Sequence, residues 1–208
     1  MNEITIRTAN ENDIDFLATM VLQNSRNNKK IGMFDLLFAS KKETDLVENI
    51  KKLITIDKKI YCYYKNFLIA SLNKTNVAIL CNYEPRLATN TYIEDVLQQL
   101  DILKEDYKYI SMLSYCEIDT DKKVWILDFL TQKEGADSLD IAKMLIQKSL
   151  LQASLKGYRI VRTIISAKKA DVILMYHKLG FKTLLQKECS LLQDQLRENR
   201  AIVLEYHL

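Results

Sequence analysis

Between Val124 and Phe181 the hydrophobic period changes three times, and this stretch constrains the fold more than any other. Lys123 to Thr131 (KVWILDFLT) is an apolar run with one internal charge and reads as a strand. Asp140 to Leu155 is a long helix, stopped at Gly157. Tyr158 to Ser166 is a second strand, and Ala170 to Leu179 a second helix that ends at Gly180. Alternation of this kind calls for a sheet with helices packed on it.

The rest of the chain extends the pattern. Ile4 to Arg7 alternates apolar and polar residues as a short strand. Asp13 is placed to cap a helix through Ile14, Leu17, Met20 and Val21. Phe34 to Phe38 and Leu46 to Ile54 are helical pieces. Lys59 to Ala70 is aromatic and β-branched, which favours strand, and Tyr61-Cys62-Tyr63-Tyr64 within it is expected to pack alternately across a sheet. Asn73 to Asn76 is a turn before the strand Val77 to Tyr83. Tyr92 to Leu103 is an amphipathic helix, with Ile93, Val96, Leu97 and Leu100 inward, and Tyr109 to Ile118 a strand. Phe181 to Leu191 and Ala201 to Leu208 close the chain as strands joined by a charged turn. The fold class is α/β, α+β mixed, with helices on both faces of a mixed sheet and one domain over residues 1–208.

Composition excludes several function classes. One Pro and four Gly leave little room for linkers. A net charge of +3, from scattered Lys and Arg, is too weak for a nucleic-acid footprint. No apolar run reaches the ~20 residues of a membrane span, and the N-terminus has no signal-peptide core, so a cytoplasmic protein is expected. The cysteines Cys62, Cys81, Cys116 and Cys189 show no CxxC spacing and only two His are present, so no metal is expected and the thiols read as buried and reduced. Cys62 and Cys116 have no base beside them in sequence, and His177 reads as a surface helix residue.

Three segments carry a family likeness. Ile6-Arg7-Thr8-Ala9, with Asp13 and Leu17 beyond, matches a strand-to-helix start of the form IR-x-A-x-x-x-D-x-x-x-L. Ile126 to Leu145 aligns without a gap to a strand, phosphate loop and helix. Met175-Tyr176-His177-Lys178-Leu179-Gly180-Phe181, preceded by Lys156-Gly157-Tyr158, is similar to LYxKLGF after KKGY. The chain thus resembles the GNAT N-acetyltransferases, strongly after Val124. The resemblance implies a mostly antiparallel central sheet, acetyl-CoA as co-substrate, and a small-molecule or peptide amine as acceptor. It leaves the chain a monomer or homodimer, with no nucleic acid or membrane as partner.

The same resemblance implies a set of site residues. Tyr176 stands where the family keeps a general acid; a phenol is a donor with a pKa of about 10, suited to a leaving thiolate. Asp128, the lone charge in its strand, stands where many members hold an acidic base. Glu117, Asp119 and His207 are weaker candidates. Phe129, Leu130 and Thr131 occupy the strand whose backbone grips pantetheine. Ser138, Leu139, Asp140, Ile141 and Ala142 occupy the pyrophosphate loop and helix start, where backbone N–H groups hold an anion. Lys169 stands where an Asn contacts the cofactor. Gly32 to Lys59 is an insertion expected to lay helices over the acceptor pocket.

The loop departs from the family pattern R/Q-x-x-G-x-G/A. Asp137 replaces the cation or amide and Asp140 the first glycine, although Ala142 fits. A carboxylate ~5 Å from a phosphate charge at an effective dielectric of ~20 costs about 3 kcal/mol. Asp140 also reads as an N-cap of the following helix. Two functions follow: an acetyltransferase, or a GNAT-like binding or assembly module that has lost its pyrophosphate site. A sensor using the same cleft is a third.

Overall fold

Arg7 and Asp13 tie the first strand to the first helix. In the computed structural model the Arg7 guanidinium donates to both Asp13 oxygens, at 2.6 and 2.7 Å. The structure describes residues 3–40, 42–101, 123–136, 138–188 and 200–208. The strand expected at Tyr109 to Ile118 lies outside them, as do Cys116, Glu117, Asp119, Asp137 and Cys189.

β1 (Ile4–Thr8) leads through a 3-10 turn into α1 (Ile14–Arg26). Asp13 was expected to cap α1. Instead Asn10 caps the turn, its side chain accepting from Asn12 N–H. Asp13 spends its carboxylate on Arg7, the Asn10 N–H and the Asn76 side chain. Buried and acceptor-rich, it is held below the usual carboxylate range chiefly by Arg7. α2 (Met33–Phe38) and α3 (Glu43–Thr55) follow. Gly32 between α1 and α2 touches α1 so closely that a Cβ there would lie 2.5 Å from the Ser25 carbonyl.

The segment Lys59 to Ala70 corrects the expected strand. Only its end enters β2 (Phe67–Leu72); residues 61–62 form a turn and Tyr64–Asn66 a 3-10 turn. The Asn66 side chain binds the carbonyls of Ile60 and Tyr61, and Tyr61 N–H reaches Leu87 O, so these backbone groups are satisfied without a ladder. β3 (Thr75–Tyr83) returns, and α4 (Asn90–Gln99) follows with Ile93, Val96 and Leu97 buried as expected. The second half is β4 (Val124–Gln132), α5 (Leu139–Leu155), β5 (Ile160–Ser166), α6 (Ala170–Lys178), β6 (Lys182–Glu188) and β7 (Arg200–His207).

The seven strands form one sheet in the order β1-β2-β3-β4-β5-β7-β6. Every neighbouring pair is antiparallel except β4–β5, which is parallel because α5 carries the chain back between them. Cores lie on both faces. One gathers α1 to α4 with Phe67, Ile69, Cys81 and Ile126; the other gathers α5 and α6 with Trp125, Leu127 and Val161. Adjacent residues of β4 thus serve opposite cores, which explains why its sequence is apolar throughout.

Candidate active site

β4 breaks its own regularity at one place. Cys81 pairs with Asp128 and Ile79 with Thr131, so Leu80 faces two residues, Phe129 and Leu130. This is a β-bulge. Phe129 adopts φ +51, a left-handed conformation that costs a residue with a Cβ about 1–2 kcal/mol. Its amide turns back to Asp128 Oδ1 at 2.7 Å. Its ring is locked among Phe34, Tyr61 and Phe67, with centroids 6.0 to 6.4 Å away, and this packing offsets the strain.

The bulge coincides with a split in the sheet. The parallel β4–β5 ladder runs from Val124–Ile160 to Leu127–Thr163 and stops. Beyond it, among the described residues, β4 pairs only with β3, while Ile164, Ile165 and Ser166 pair only with β7. A gap therefore opens in mid-sheet, with Asp128 at its apex. α1 braces the β4 side: Asn24 donates to Thr131 Oγ1 at 2.6 Å and Gln23 to the Gln132 carbonyl at 3.2 Å.

Asp128 and Tyr176 approach the gap from opposite faces. Asp128 is partly buried on the α1–α4 face, where desolvation pushes its pKa up to about 6 against the pull of the Phe129 amide and the Lys169 ammonium. Tyr61, Tyr83 and Cys81 feel its charge, and burial with that charge holds their pKa values well above normal. Tyr176 is buried on the other face, its ring edge-on to Phe181 at 4.9 Å. Burial pushes the phenol far up, the Asp128 charge adds to this, and a hydrogen bond with Thr163 works against it. Tyr176 is thus a protonated donor at any physiological pH.

At the end of β4 the chain turns into α5. Ser138 N–H donates to Gln132 Oε1 at 2.8 Å, and Ala142 N–H to Ser138 O is the first helical bond. The amides of Leu139, Asp140 and Ile141 lie ahead of that ladder, at the positive end of a 17-residue helix. The N-cap is Ser138, not Asp140 as expected, and its hydroxyl makes no capping bond. Asp140 is the second residue of the helix, two positions past the cap and 80% exposed, where its carboxylate meets Lys143 at 3.2 Å.

The fold has counterparts of known structure. An N-acetyltransferase from Staphylococcus aureus superimposes with a TM-score of 0.72 at 16% identity, over 97% of this chain and 100% of that one. A ribosomal-protein-alanine N-acetyltransferase from Brucella melitensis gives 0.62 at 13%, covering 98% and 99%. An acetyltransferase from Salmonella typhimurium, solved with its cofactor acetyl-CoA, gives 0.58 at 12%, covering 99% and 94%. The chain has the GNAT acetyltransferase fold. No protein-family model matches it, and no curated protein matches its sequence.

On this GNAT frame the sequence-derived residues fall into two groups. Asp128, Phe129, Leu130 and Thr131 lie at the β4 bulge, Tyr176 is close enough to feel the Asp128 charge and the Thr163 hydroxyl, and Ser138 to Ala142 begin α5 at the end of β4. Lys169 stands just before α6, partly buried, close enough for its charge to act on Asp128. His207 does not join them: it pairs with Ile160 at the closed end of β5 and binds Glu205. Cys62 is buried, and burial raises its thiol far above the reactive range. His177 is exposed, held to the Phe181 carbonyl at 2.9 Å.

Two neighbours escaped sequence reasoning. Thr163 is buried in β5, whose sequence IVRTIIS also holds Arg162 and Ser166, so nothing in the sequence singled it out. Tyr61 was assigned to a sheet; its true place is the aromatic wall beside Asp128. Among the described residues no three His, Cys, Asp or Glu side chains cluster as a metal site.

Proposed function

We propose that this protein is an N-acetyltransferase that moves an acetyl group from acetyl-CoA to a primary amine. The observation that carries it is the gap beyond Leu127 and Thr163, with a carboxylate on one side and a phenol on the other. Backbone groups of Phe129 to Thr131 and the first amides of α5 would hold the pantetheine and pyrophosphate of the substrate. Asp140 does not stand in the way, because its carboxylate is turned to Lys143.

The chemistry is a direct transfer. The amine nitrogen attacks the thioester carbonyl, a C–N bond forms and the C–S bond breaks. Asp128, ionised above about pH 6, takes the proton leaving nitrogen. Tyr176 O–H supplies the proton to the departing sulfur, and the two protonation states reset through solvent. Thr163 holds the phenol oxygen, so that its proton is free to be directed into the gap.

The experiment is release of free CoA from acetyl-CoA on addition of primary amines, followed by a thiol reagent. Amine-dependent release supports acetyl transfer. A protein that binds no acetyl-CoA contradicts it.

A further inference from the structure

α1 ends in side chains that the helix itself does not use. Asn24 is a weaker helix former than Leu or Gln, yet it stands inside α1, partly buried, with its side chain bonded outside the helix. Its amide nitrogen lies 2.6 Å from Thr131 Oγ1 and 3.4 Å from the Leu130 carbonyl. A carbonyl only accepts, so the N–H side of the amide faces β4. Thr131 Oγ1 passes the bond on, donating to the Phe129 carbonyl at 3.2 Å. One residue earlier, Gln23 donates to the Gln132 carbonyl at 3.2 Å.

The register of β3 and β4 shows what these bonds replace. Lys133 N–H donates to Val77 O at 2.7 Å, and Ile79 pairs with Thr131. Backbone groups alternate in direction along a strand, so those of Thr131 and Lys133 point to β3 and those of Leu130 and Gln132 point the other way. That is the side on which the β5 ladder stops, after Leu127 and Thr163. In a continuous sheet β5 would bond the Leu130 and Gln132 carbonyls; here the amides of Asn24 and Gln23 do so. A strand that is bulged and left-handed at Phe129 is thereby held in direction from α1. The N–H groups of Leu130 and Gln132 lie on this same edge.

Resting on the acetyl transfer proposed above, we infer that Asn24 is a positioning residue for acetyl-CoA. It acts through Thr131 and Leu130, fixing the edge of β4 that takes the pantetheine arm, and it touches no reacting atom.

The test is acetyl-CoA binding to the full chain, measured by calorimetry well below Tm. Asn24→Leu keeps the bulk and favours the helix, and it should raise Kd about three- to tenfold, the worth of one hydrogen bond. Thr131→Val should do the same, and the double variant should stay within about twofold of the single ones, because the two side chains act as one unit. Arg26→Lys, two residues along α1, loosens the ties to Asp35 and Glu43 and should lower Tm at unchanged Kd. If the parent binds acetyl-CoA and Asn24→Leu stays within about twofold of it, or Arg26→Lys weakens binding as much, Asn24 holds only the fold and the inference is overturned. If the parent binds no acetyl-CoA, the acetyl transfer itself falls.

Discussion

Leu127 and Thr163 are the last parallel pair of the β4–β5 ladder, and the proposed site lies just beyond them. The strands part, Asp128 begins the bulge, and the Thr163 hydroxyl bonds Tyr176 at the mouth of the split.

Asp128→Asn tests the carboxylate twice. Its folded pKa of about 6 lies above the usual Asp value of about 3.9. A raised acid stabilises the fold fully below the unfolded pKa and loses that contribution as pH rises through 6. The variant should therefore gain roughly 1–3 kcal/mol over the parent at pH 8 and nothing at pH 3.5, read from denaturant melts. In kinetics, the acidic limb near pH 6 in kcat/KM should vanish with most of the rate.

Tyr176→Phe should lower kcat by about 10²–10⁴-fold if the phenol is the acid. It also strands the Thr163 hydroxyl, which costs about 1–3 kcal/mol. Adding Thr163→Val should restore stability without restoring rate. Recovery of rate in the double variant would make Tyr176 a packing residue only.

Asp140→Gly should change CoA affinity less than about threefold, because the carboxylate already faces Lys143 and solvent. The helix should lose about 0.3–1 kcal/mol with its N-terminal anion. Tightening by tenfold or more in a calorimetric titration would show that Asp140 competes with the pyrophosphate.

Asp13→Ala should destabilise by about 3 kcal/mol, since it leaves Arg7, Asn10 and Asn76 without their shared acceptor. Asp13 has a depressed pKa, so its stabilisation is present above the unfolded value and lost as pH falls below about 4. The variant's acid melting curve should accordingly be flatter than the parent's.

Sequence revealed the frame because the frame depends on period and punctuation. Gly180 is the plainest case: at φ +97 it ends α6 and lets Phe181 N–H reach the Tyr176 carbonyl, which is why Tyr176 could be located from LYxKLGF alone. The site was less legible because it depends on exceptions to local rules. Nothing in DFLT announces that Phe129 turns left-handed; only its packing against Phe34, Tyr61 and Phe67 compels it. Strand propensity misplaced Tyr61 because Asn66, five residues on, captures its carbonyl. The cap went to Ser138 instead of Asp140 because the Gln132 side chain, supplied from β4, fixes the Ser138 amide.

The most direct measurement is thermal stability against CoA concentration. Ligand at 100 times Kd adds about 2.7 kcal/mol, which for a chain of this length raises Tm by roughly 5–10 °C. A GNAT fold that uses this gap and the α5 N-terminus should show that rise at millimolar CoA or below. An unmoved Tm at millimolar CoA would contradict acetyl transfer by this protein.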